Sequence, residues 1–117
     1  MTKVSNEEKG NNANVLLPAV RPAVDWFAKK METKLALNDH KGGWKDCEVD
    51  WLIKRLQQET NELIERWNTR QWSMQGRSAA ENVPLIDVDD EAIINECADV
   101  ANFAMMIADK FGEEHCR

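Results

Sequence analysis

Apolar residues recur at helical spacing along three stretches of the chain, and polar or turn-forming residues separate them. In the first, PAVDWFAKKMETKLAL over 22–37, Val24, Phe27, Ala28, Met31 and Leu35 fall on one stripe. Pro22 suits the first turn of a helix, because its missing N–H would have no intrahelical partner there. Asn38 and the glycines of HKGGW end the element. A second helix is predicted from about Asp46–Glu48 to about Thr69, with Val49, Leu52, Ile53, Leu56, Leu63, Ile64 and Trp67 as its stripe. A third is predicted from Asp89 or Asp90 to Lys110-Phe111-Gly112. Acids at its start suit the positive end of the helix dipole, and glycine serves as its stop. Its stripe is Ile93, Cys97, Val100, Ala104, Ile107 and Phe111.

Strand periodicity is absent over any useful length, and PLIDV at 84–88 is too short to change the class. The expectation is an all-α chain of three long helices, with a short fourth near Ser78 to Asn82 inside a long connection over 70–88. Connections of that length are unusual in a compact domain and often serve function. Residues 1–14 are polar and aperiodic and read as a flexible lead-in, leaving 15–117 as a single domain.

Two short acidic clusters break the helical pattern. Glu59 and Glu62 lie in QQETNELIER, and Glu96 and Asp99 in NECADVANF. Residues three apart share a helix face, so each pair can direct two carboxylates at one place. On a count of ~100° per residue, Glu59 falls along the edge of the second stripe, and Glu62 lies about 60° further round. Glu96 and Asp99 fall among Val100, Phe103 and Met106. Acids among large apolar side chains are costly unless they have a partner. Two such helices side by side would gather four carboxylates, whose mutual repulsion a hard divalent cation resolves. An all-oxygen donor set suits magnesium, or manganese, better than zinc. The same residues also permit a plainer reading, a structural helical dimer whose acids are solvated.

Composition narrows the partners. With 117 residues and 43% hydrophobic content, the chain can bury a modest core. The net charge of −6, with no long basic run, argues against nucleic-acid binding. It leaves a nucleotide open, since a metal ion brings its own positive charge to phosphates. Cys47, Cys97 and Cys116 form no CxxC pair, and reduced thiols in a cytoplasmic protein are expected. No apolar run approaches a membrane span, and the N-terminus has no apolar signal segment. Glu-x-x-His motifs, which a carboxylate-bridged di-iron bundle needs, are absent.

The paired ExxE of Glu59 and Glu62 and ExxD of Glu96 and Asp99, followed by DVANFAMMIAD, resemble the MazG-like all-α nucleoside triphosphate pyrophosphohydrolases. The likeness spans about 22–112, although the segment between Glu62 and Glu96 is longer than in compact members. The resemblance implies a helical bundle completed by oligomerisation, as a homodimer or homotetramer. It implies Mg²⁺, with Mn²⁺ as a substitute, held by Glu59, Glu62, Glu96 and Asp99. The implied reaction is hydrolysis of a nucleoside triphosphate to monophosphate and pyrophosphate, in the service of nucleotide-pool housekeeping. Glu59 is then the candidate for orienting the attacking water. Asn102, one helical step past Asp99, is a candidate ligand contact. In HKGGW, Trp44 could stack on a base, Lys41 could meet phosphate oxygens, and His40 lies beside them. Lys54 and Arg55 read as solvated helix charges. Trp26, Trp44, Trp51, Trp67 and Trp72 are too many for the core of so short a chain, so some are expected at an interface or a base pocket. A non-catalytic metal- or nucleotide-binding module is the main competing function.

Overall fold

A computed structural model describes residues 19–74 and 88–115. The expectations for the 1–14 lead-in, the turn at 78–82, PLIDV and Cys116 fall wholly or largely outside them. The described residues form three α-helices and no strand: α1 (Pro22–Leu37), α2 (Val49–Met74) and α3 (Asp90–His115). A 3₁₀ turn, Asp39–Lys41, follows α1.

Local chemistry sets most of the boundaries. Arg21 is extended, Pro22 enters at the first turn, and the Arg21 carbonyl accepts from Val24 and Asp25. At the other end, Asn38 Nδ2 donates to the Lys34 carbonyl. Gly42 then takes φ 86°, a left-handed value that costs an L side chain and suits glycine. Asp89 caps α3, its Oδ1 accepting from the Ala92 N–H at 2.9 Å.

Two helix ends run past their predicted limits. α2 continues five residues beyond Thr69, with Thr69 to Ser73 half-buried and Arg70 paired to Asp90 at 2.7 Å. No proline or glycine interrupts the sequence before Gly76. α3 passes through Gly112 to His115. An interior glycine costs only about 1 kcal/mol relative to alanine, and the residue after it, Glu113, pairs with Lys45.

Helix α3 is the centre of the arrangement. It packs along α2 and also against α1, whereas α1 and α2 do not pack on each other. The core is thin: the buried apolar residues among those described are Leu52, Val88 and Ala98. α1 contributes none. Ile53, Ile64 and Trp67, all predicted as part of the α2 core stripe, are exposed, as is Phe111 of α3. The physical reason is angular. Ile53 is one residue, ~100°, from buried Leu52, so α2 carries two apolar faces and α3 covers only one. No helix among the described residues is long and apolar enough to cross a membrane.

Candidate metal centre and its pocket

The seam between α2 and α3 holds the chemistry. Glu59 of α2 and Glu96 and Asp99 of α3 each bring one carboxylate oxygen to within 4.8 Å of the others. Glu59 and Glu96 are 6% exposed, and Asp99 is half-buried. Glu62 does not join them. It is exposed, though close enough for its charge to act on Glu59. One helical step of three residues turns it about 60° away from Glu59, which carries it out of the seam.

Each converging acid faces a cation. Arg55 Nη2 lies 2.9 Å from Glu59 Oε2, Arg66 Nε 3.2 Å from Glu96 Oε1, and Lys34 Nζ 3.4 Å from Asp99 Oδ1. These pairs correct the reading of Arg55 as a solvated charge. Its guanidinium also bonds Gln58 and sits over the Phe103 ring, 5.1 Å from the centroid. Lys54 is exposed, as predicted. The signal for Arg55 was its position four residues before Glu59, the spacing at which helix charges meet. Lys34 lies on another helix, and no sequence spacing links it to Asp99.

Among the described residues, two buried acceptor atoms remain unmatched, Glu96 Oε2 and Asn102 Oδ1. Asn102 is 4% exposed and donates its Nδ2 to the Met31 carbonyl of α1 at 3.1 Å. Asn102 is therefore a buried residue tied to α1 and not a solvated helix asparagine. Leaving a buried acceptor unsatisfied costs about 1–3 kcal/mol. Acceptors without donors, beside three carboxylates, are what a hard cation and its water shell satisfy. Glu59, Glu96 and Asp99 are the residues that could hold a metal ion, and their oxygens are hard donors.

Beside the acids opens a pocket of about 580 Å³, within the range of small-molecule sites. Its walls come from all three helices and the 38–47 loop, and include Lys41, Trp44, Trp51, Leu52, Asn102 and Phe103. Of the predicted contacts, Lys41, Trp44 and Asn102 line it, whereas His40 is exposed and outside it. Trp44 is held by a hydrogen bond from Nε1 to Asp109 Oδ2 at 2.9 Å. Lys110 Nζ donates to the Lys45 carbonyl at 2.8 Å, so α3 holds the loop through both Trp44 and Lys45. Cys47 and Cys97 are free thiols.

Glu59 holds its proton more tightly than an ordinary glutamate. Burial is the largest cause, and the charges of Glu62, Asp99 and Glu96 add to it against the opposing pull of Arg55. Because the folded-state pKa lies above the unfolded one, the linked stability is present at low pH and is lost as pH rises through the folded value. Glu59→Gln is therefore expected to raise the Tm of the metal-free protein near neutral pH, by about 4–8 °C for each kcal/mol of relief. The gain should shrink towards about pH 4. Melting curves in chelator across that range test it, and an equal or lower Tm at neutral pH would contradict the account.

No family model, curated protein or solved structure matches the chain.

Proposed function

We propose that this protein is a Mg²⁺-dependent nucleotide pyrophosphohydrolase, which cleaves (d)NTP to (d)NMP and pyrophosphate. The observation that carries this reading is the convergence of Glu59, Glu96 and Asp99 at the wall of a pocket that also presents Trp44, Trp51 and basic side chains. Mg²⁺, when bound, supplies charge neutralisation at the phosphates and orients the leaving group. Glu59 has the raised proton affinity of a group that can accept a proton from an attacking water. Trp44 and Trp51 offer ring surface to a base. Glu62, exposed on α2, contributes charge without converging on the centre.

The proposal extends to assembly and setting. Ile53, Ile64 and Trp67 form an exposed apolar stripe on α2. A second copy covering that stripe would make a homodimer, and pairs of dimers a homotetramer. Nucleotide-pool housekeeping in the cytoplasm is the role that the resemblance suggests.

A binding module without turnover is the second reading. It is favoured by the pairing of every converging acid with a cation, which competes with a metal for one oxygen of each. Purified protein with Mg²⁺ and a panel of canonical and modified nucleoside triphosphates separates the two. Equimolar pyrophosphate and monophosphate from at least one nucleotide, abolished by chelator, is expected. A folded, metal-binding protein that releases neither from any nucleotide would leave only the binding module.

A further inference from the structure

Each of the three acids is paired through one oxygen with a cation, so a divalent ion taking those oxygens would displace positive charge. Two of those cations, Lys34 and Arg55, line the same pocket as Glu59, Asp99 and Asn102. Asn102, which lines that pocket too, carries a buried acceptor, Oδ1, that no donor meets. Once an ion occupies the carboxylates, its charge adds to the freed cations, and the pocket wall becomes anion-seeking.

We propose that Lys34 and Arg55 are exchange partners, pairing with Asp99 and Glu59 in the metal-free protein and turning to the phosphate oxygens of a metal-chelated di- or triphosphate in the loaded one. The inference rests on reading this pocket as a nucleotide site. The geometry suits the exchange. Phe103 and Gln58 seat the Arg55 guanidinium apart from its bond to Glu59, so one N–H edge can change partner while the group stays in place. Guanidinium groups match phosphate oxygens in a two-pronged fashion. Lys34 reaches across from α1, and its 3.4 Å approach to Asp99 is long for a charge-assisted hydrogen bond and correspondingly easy to give up. Arg66 lies outside the pocket lining and remains with Glu96.

The exchange predicts a reversal of sign. Removing either cation removes a competitor of the metal but also a partner of the phosphate. Isothermal titration of the full chain with Mn²⁺ alone, and with preformed Mn²⁺-imidodiphosphate, reads both effects without turnover. Arg55→Gln and Lys34→Gln should each bind Mn²⁺ more tightly, by about threefold or more, and the complex about tenfold more weakly. Arg55→Lys should recover part of the affinity for the complex. If both affinities move in the same direction, or neither moves, the exchange is wrong. No Mn²⁺ binding by the wild type would overturn the exchange and the pyrophosphohydrolase reading together. Sign reversal without pyrophosphate release from any nucleotide would keep the exchange and end the hydrolytic reading. Release without sign reversal would do the opposite.

Discussion

Asp99→Asn is expected to cut Mg²⁺-dependent pyrophosphate release by about 10³-fold, with the fold intact. Asp99 is one of three carboxylates whose oxygens converge, and asparagine preserves its shape while removing its charge. Losing one of three anionic donors weakens the hold on a hard cation, and several kcal/mol of transition-state charge stabilisation go with it. Each 1.36 kcal/mol is tenfold in rate. Asp99 is half-buried and its Lys34 pair is partly solvated, so stability should change little. The measurement is steady-state pyrophosphate release, with a melting curve in chelator as control. Activity within tenfold of wild type, at saturating Mg²⁺, would remove Asp99 from the centre and with it the reading of Glu96 and Glu59 as its companions.

Leu52→Ala should remove about 2–5 kcal/mol of stability, the range for emptying a buried leucine site. Domains of this kind have only about 5–15 kcal/mol in all. Leu52 is 0% exposed and is the largest fully buried side chain among the described residues. It also stands three residues before Arg55 and seven before Glu59, on the face of α2 that meets α3, and it forms part of the pocket wall. The substitution should therefore weaken the helix seam and enlarge the pocket together. Urea denaturation of wild type, Leu52→Ala and Leu52→Met reads the first effect. The methionine variant, nearly volume-conserving, should lose under about 1.5 kcal/mol. An alanine variant within 1 kcal/mol of wild type would show that the seam draws its stability from elsewhere.

The sequence was most legible where structure depends on neighbours a few residues apart. α1 spans the predicted 22–37 because Pro22 and Asn38 act locally. The start of α3 follows from the Asp89 side chain, which caps its own helix. Glu96 stood out because an acid among apolar neighbours needs a reason, and the structure buries it on the α2 seam. Legibility failed where the outcome depends on what a distant element covers. Periodicity placed Ile53, Ile64 and Trp67 with Leu52 on one broad stripe, but only contact with α3 separates the covered face from the bare one. It grouped Glu62 with Glu59 by spacing, whereas the structure leaves Glu62 exposed beside the converging acids. Lys34 was invisible as a partner of Asp99 because the two meet only through the docking of α1 on α3. Gly112 read as a stop, although one unfavourable residue does not outweigh the tertiary contacts that follow it.

Helix α1 has no buried residue and packs on no helix but α3, yet it supplies Lys34 to the acid cluster and the Met31 carbonyl to Asn102. Elements with few buried contacts open at the lowest free energy. The pocket wall that α1 provides is therefore the one whose undocking costs least, and any fraction of molecules with that wall away would dilute the intrinsic affinity of the pocket. A ligand that bridges Lys34 to α2 recovers that fraction by closing the wall on itself. Tightening α1 alone, with no change at any residue that lines the pocket, would then raise the affinity for such a ligand.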